Sequence, residues 1–261
     1  MRLVVTVVVS VLLCSACAED TLARVRREGA IRIGFAIEAP YAHLTADGRV
    51  TGAAPELAEL VAPRVGISRV RWRLTHFGDL LDELDAGVLD AVASGLFITP
   101  ERQRRARFSQ PTFEVRESLL VAEGNPLGLS GYPQLARHPT ARVAVLRGSA
   151  EIPALLELGL PAARLVEVPD ALAARAAVAT GEADALALSE PTLRWGEPTP
   201  HTTRVEHVEQ PPGGPAHCGV AFRTSDESLE RAWSAALVEL QRTPEYAALL
   251  ARYGMASGAG R

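Results

Sequence analysis

The sequence predicts an α/β protein of two similar lobes, each a mostly parallel sheet flanked by helices, with the chain crossing between them twice. Three observations lead there. Alternating or β-branched apolar stretches take turns with amphipathic stretches of helical period, the pattern of βαβ units. The segments "LDAGVLDAVASG" and "VATGEADALALS" share one outline: helix end, glycine, two residues, Asp-Ala, apolar strand. Any αβ unit with a glycine cap would show that outline, so it supports lobes of like build and does not require a duplication. Finally, a late strand and a long helical stretch follow a turn-rich segment, which sends the chain back to its first lobe.

The first residues, "MRLVVTVVVSVLLCSACAED", hold one positive residue, Arg2, an apolar run from Leu3 to Leu13, then small residues. That run is too short for a lasting membrane span and reads as an export signal over residues 1–18. Leu13-Cys14-Ser15-Ala16-Cys17 resembles a lipobox, which would make Cys17 the lipidated first residue of a membrane-anchored protein. Ala16-Cys17-Ala18 also fits an ordinary signal peptidase. Either way the mature chain is expected at the periplasmic or extracellular face.

A short helix, Thr21 to Glu28, precedes the alternating strand "AIRIGFA". "PELAELVAPRVG" is an amphipathic helix closed by Gly66, and "VRWRLTHF" an alternating strand. "FGDLLDELDAG" is a helix with Gly87 at the favoured left-handed cap position, and "LDAVASGL" is a strand. Thr99 suits an N-cap and Pro100 the first helical position, so another helix starts there. The second half repeats the order. "ARVAVLRGS" is a strand ending in Gly148-Ser149, "EIPALLELG" a helix, "ARLVEVP" a strand, "DALAARAAVATG" a helix ending at Gly181, and "EADALALSE" a strand. The turn-rich "HTTRVEHVEQPPGGPAHCG" leads to the strand "GVAFRT" and one final helix, "SLERAWSAALVELQRTPEYAALLARYG". The divisions expected are 19–114 for the first part of lobe 1, 115–215 for lobe 2, and 216–261 for the return.

Composition excludes several classes. With 261 residues, 48% of them hydrophobic, the chain can bury a sizeable core. Its formal charge of −4 argues against broad phosphate binding, so no nucleic-acid partner is expected. All 27 basic residues are Arg. The cluster Arg102, Arg104, Arg105 and Arg107 in "SGLFITPERQRRARFSQP" therefore carries little weight by itself. Once Cys14 and Cys17 are assigned to the leader, Cys218 stands alone, without a disulfide partner, and suits a small buried hydrophobe. The six histidines lack ligand spacing, so no metal is expected. There is no Gly-x-Ser-x-Gly, P-loop or dinucleotide fingerprint, hence no enzyme and no cofactor. A monomer is expected.

Some residues invite a ligand. Arg102 falls in a first helical turn, where a cation is poorly placed against the dipole. An anion sharing the site would account for it; so would a surface pairing with Glu101 or Asp79. Ligands of α/β sheets bind beyond the carboxyl ends of strands. Tyr41, Phe77 and Phe97 each follow such an end, although only 5% of the chain is aromatic. They are core plugs or the wall of a cleft suited to a cation over π faces. Glu38 could supply a counter-charge.

These residues resemble a family. "IRIGFAIEAPYAHLTADGRVTGAAPELAELV", "DAGVLDAVASGLFITPERQRRARFSQP", "GEADALAL" and "CGVAFR" are similar to family 3 extracellular solute-binding proteins of ABC importers. The resemblance implies a type II periplasmic-binding-protein fold closing on a small solute, with ABC permease subunits as partners. "GFAIEAPYA", "GLFITPER" and "EGNPLGLSGYPQLA" look most like the ectoine and hydroxyectoine binders. It implies that Arg102, preceded by Thr99, grips a carboxylate, that Glu38 binds ring N–H groups, and that Tyr41, Phe77 and Phe97 cage a cationic ring. In lobe 2 it reaches only Gly148 and Ser149. Ser189 stands where amino-acid binders usually carry an Asp for the α-ammonium, and "SQPTFEV" departs from the family's usual Pro-Tyr.

Overall fold

The computed structural model describes residues 20–205, 208 and 215–258. The export signal, Cys17 and part of the turn-rich segment lie outside the described residues.

Two five-stranded sheets organise the chain. The first has the spatial order Arg69–Leu74, Ala30–Phe35, Ala91–Val92, Ala221–Arg223, Ala106–Phe108. The second has the order Leu165–Val168, Val143–Leu146, Ala185–Ser189, Glu117–Ala122, Thr202–Arg204. In each, the first three strands pair in parallel, and the fourth is antiparallel to both neighbours. One strand therefore runs against the other four, in the same place in both sheets. The first sheet draws its reversed strand from the C-terminal part of the chain. The segments joining the sheets meet in a small antiparallel sheet, Ala216–Cys218 beside Phe113–Val115 beside Ala256–Ser257.

The apolar runs explain the layering. In Val143–Leu146 every residue is buried. Val143 and Val145 pack on one face with Leu119, Tyr132 and Leu155, while Ala144 and Leu146 pack on the other with Leu186, Ala174 and Val178. A strand covered on both faces needs no polar alternation. The first sheet is covered on one face by a larger cluster containing Ile31, Ile33, Leu57, Phe222 and Trp233, and on the other by Leu80, Leu84 and Leu89. Cys218 is fully buried in the larger cluster, and its thiol donates to the Gly95 carbonyl at 3.2 Å.

Several expected elements change. The final helix is two, Glu227–Gln241 and Pro244–Tyr253. Thr243 caps the second, its hydroxyl accepting from the Tyr246 N–H at 3.4 Å, and Pro244 cannot supply the N–H that would continue the first. "PELAELVAPRVG" begins earlier, at Ala53, and its last turn, Ala62–Val65, tightens to a 3-10 helix before Gly66. "FGDLLDELDAG" divides into the 3-10 turn Phe77–Asp79 and the helix Leu80–Asp85. Of "LDAVASGL" only Ala91–Val92 pairs as strand. The strand Glu117–Ala122 and the helix Tyr132–Arg137 were not anticipated.

Candidate functional site

The carboxyl ends of the parallel strands of both sheets converge on one cleft. From the first sheet, Glu38 follows the strand Ala30–Phe35 and is held by a backbone bridge to Ala42. Phe77 opens the 3-10 turn after Arg69–Leu74. Phe97 bridges to Cys218, and two residues later Thr99 caps the short helix Pro100–Gln103, its hydroxyl accepting from the Arg102 N–H at 3.2 Å. From the second sheet, Ser149, Ala150 and Glu151 follow Val143–Leu146, and Leu188 and Ser189 end Ala185–Ser189.

Arg102 is 8% exposed, so the surface pairing with Glu101 or Asp79 is not what holds it. Its guanidinium donates to the Phe97 carbonyl and, across the cleft, to the Gly148 carbonyl, each at 3.0 Å, and stands 5.6 Å from the Phe77 ring centre. Gly148 (φ +75°) passes so close to Gly78 that a Cβ would lie 2.7 Å from its Cα. Arg102 divides the cleft. On its inner side, Glu38, Phe77, Gly95 and Phe97 face Ser149, Ala150, Glu151 and Leu188 around a narrow space of about 10 Å³. On its outer side Gly78, Thr99, Glu101, Arg105 and Gly148 line a wider recess.

Tyr41 does not line the inner space. It is 1% exposed, a core residue lying against Phe113, as one of the two readings of the aromatics has it. The ring packs under Gly95 (φ +68°), where a Cβ would come within 2.5 Å of it. Its hydroxyl donates to Ser189 Oγ at 3.1 Å, Ser189 Oγ lies 3.1 Å from Thr192 Oγ1, and Thr192 Oγ1 donates to Glu38 Oε1 at 2.8 Å. This buried chain ties the Glu38 carboxyl to the second sheet. Ser189 and Thr99 thus lie behind or beside the inner space.

The electrostatics are those of a dry site. Burial pushes the Glu38 carboxyl up to about 7; the Thr192 hydrogen bond and Arg102 oppose this, and the like charge of Glu151 adds to it. Burial also raises Glu151 and lowers Arg102. Behind Glu151, burial and then the Glu151 charge push Glu117 up to about 7. Glu151 and Thr192 were not singled out from the sequence. The rule that picked out Phe97, position beyond a strand's carboxyl end, would have found Glu151. Arg105 pairs with Asp82 (2.6 Å) and Asp85 (2.7 Å), and Arg107 with Glu227 (3.2 Å), so both are spent on surface ion pairs. Among the described residues no three His, Cys, Asp or Glu side chains form a metal site, and no helix is long and apolar enough to cross a membrane.

A two-sheet α/β cleft with a buried guanidinium, carboxylates and flanking aromatic rings defines a receptor for a small charged solute. Residues 31–256 match the bacterial extracellular solute-binding proteins, family 3, and the chain belongs to that family. It is 30% identical over 244 residues, covering 90% of this chain and 80% of the relative, to the probable amino-acid ABC transporter periplasmic-binding protein y4tE of Sinorhizobium fredii (strain NBRC 101917 / NGR234). Its fold is similar to that of EhuB in complex with hydroxyectoine, with a TM-score of 0.83, 32% identity, and coverage of 90% of this chain and 92% of that one. It is also similar to AncCDT-1, an ancestral amino acid-binding protein and precursor of cyclohexadienyl dehydratase, with a TM-score of 0.79, 25% identity, and coverage of 90% and 99%.

Proposed function

We propose that the protein is the receptor of an ABC importer and captures a small zwitterionic carboxylate, with ectoine or hydroxyectoine as the ligand. The observation that carries this is the buried Arg102 beside Phe77, with Glu38 and Phe97 on the same space. Arg102 exchanges its carbonyl contacts for a bidentate carboxylate. Phe77 and Phe97 flank the cationic ring, and Glu38 accepts from its N–H groups. Tyr41, Thr99, Gly148 and Ser189 set the positions of these groups. The hydroxyl at Ser189 leaves no carboxylate there for an α-ammonium, which favours a cyclic amidinium. The likeness to a protein solved with hydroxyectoine supports the same choice.

In this reading the lobes divide near 114 and 215 and close on the ligand about the paired connecting segments. The chain is exported by residues 1–18, anchored through Cys17, monomeric, and delivers its ligand to permease subunits without chemical change. A second reading, a polar amino-acid receptor, is favoured by the likeness to y4tE over 90% of the chain. Thermal unfolding of the mature chain across a solute panel separates the two. A ligand at about 1,000 times its Kd stabilises by about 4 kcal/mol. Stabilisation by ectoines but not by glutamine or arginine supports the first reading; the reverse supports the second.

A further inference from the structure

A separate recess, of about 210 Å³, opens at the Thr202–Arg204 edge of the second sheet, and none of its lining residues lines the cleft. Its place follows from strand register. Arg204 stands opposite Leu120 on the neighbouring strand Glu117–Ala122. Residues directly opposite in an antiparallel pair project to the same face, so Arg204 shares with Leu120 the face that the helix Ala171–Ala179 covers. That helix brings Arg175 to the recess, and the helix Glu190–Arg194 brings Leu193 and Arg194. Leu120 and Leu193, both buried, make its apolar floor. Arg175 is half-buried and forms no ion pair with any described residue. Its Nη1 donates to Thr199 Oγ1 at 3.1 Å and its Nη2 to the Thr192 carbonyl at 2.7 Å. Both acceptors are neutral, so burial lowers the guanidinium with no described carboxylate to offset it. Arg194, by contrast, pairs with Glu190 at 2.6 Å, and Glu197 stays exposed on the rim. Holding a cation out of water against neutral partners is costly, and an anion beside it would relieve the cost.

We propose that this recess is a binding site for a small tetrahedral oxyanion, phosphate or sulfate, separate from the solute cleft. Arg175 supplies the fork. Its two bonds to Thr192 and Thr199 fix the guanidinium and leave the rest of its five N–H groups for an anion. Thr199 accepts from Arg175 through its oxygen, so its own hydroxyl hydrogen is left to donate. Arg204 and Arg194 add positive charge from the edge strand and the end of the short helix. These groups come from a helix, a strand and a turn, so they do not lie in one plane. A planar carboxylate is satisfied by a single fork, whereas a tetrahedral oxyanion presents oxygens in several directions. The apolar floor keeps water from one side of the anion and strengthens each charged bond. The site stands whatever solute the cleft holds.

Calorimetric titration of the mature chain with inorganic phosphate and with sulfate, in chloride buffer at fixed ionic strength, tests the site. The expected result is saturable one-to-one binding, weakened roughly tenfold to a hundredfold by Arg175→Gln. Arg204→Gln leaves the bonds of Arg175 to Thr192 and Thr199 in place, so it decides the matter even where Arg175→Gln does not fold. It should weaken binding by a smaller factor. Arg71→Gln, at an exposed position on the first sheet, should leave binding unchanged. Binding of one anion and not the other keeps the site and says which oxyanion it takes. Absence of heat with both anions at millimolar concentration overturns the site. Equal weakening by Arg71→Gln and Arg204→Gln also overturns it, because it marks general attraction to surface charge. Binding abolished by Arg102→Ala but untouched by Arg175→Gln and Arg204→Gln places the anion in the cleft and overturns it too.

Discussion

Replacing Glu38 by Gln should make the protein more stable and less able to bind. In the folded chain the carboxyl is 6% exposed, and burial pushes it from the ordinary 4.5 up to about 7. A group whose folded value is raised has its full stabilising share below its unfolded value and loses it as pH rises through the folded value. The window is therefore about pH 4.5 to 7. Across it the wild type loses up to about 3 kcal/mol relative to a chain with a neutral side chain there. Gln keeps an oxygen for the Thr192 hydroxyl, so the 2.8 Å hydrogen bond survives the change. Chemical denaturation of both chains from pH 4 to 8 measures the difference. It should be near zero at the acid end and grow in favour of Glu38→Gln towards pH 8, while ligand-induced stabilisation of the variant falls away. A stability difference that stays flat across that range would refute the argument that Glu38 is held in a dry cleft awaiting a cation.

Arg102→Ala removes the donor to the Phe97 and Gly148 carbonyls and the carboxylate fork, and should weaken any carboxylate ligand by about 2–3 kcal/mol in calorimetry; an unchanged affinity rules out the fork. Gly95→Ala places a Cβ within 2.5 Å of the Tyr41 ring at a φ of +68°, and should cost at least ~1–2 kcal/mol of stability by denaturant unfolding. Asp90→Asn tests the base of the first sheet: Asp90 is fully buried and bonded to Arg32 and Arg24, so the loss should be about 3 kcal/mol, measured the same way.

Much of the fold was legible because strand and helix periods are local properties. "AIRIGFA", "ARVAVLRGS" and "EADALALSE" became strands of the two sheets, and the glycines after helices cap them. What failed locally was decided by single residues or by tertiary pairing. Thr243-Pro244 breaks a helical period that runs unbroken on either side. Glu117–Ala122 becomes the reversed strand only because Ala185–Ser189 and Thr202–Arg204 pair with it from far along the chain. At the site, strand-end position picked out Phe77 and Phe97, and the cation in a first helical turn picked out Arg102; all three share the cleft. The same rule could not tell that Tyr41 turns its ring into the core and sends only its hydroxyl towards Ser189. Nor could it tell that Thr192, a turn beyond Ser189, carries the bond to Glu38. Those assignments depend on where the second sheet sits against the first, and no local pattern encodes that.

A crystal structure of the mature chain with the tightest-binding solute of the panel tests the central claim most directly. The account predicts the ligand's carboxylate within about 3 Å of the Arg102 guanidinium, and its cationic group between the Phe77 and Phe97 rings with an N–H directed at Glu38. A ligand whose carboxylate lies away from Arg102, or whose cation avoids that aromatic pair, would contradict it.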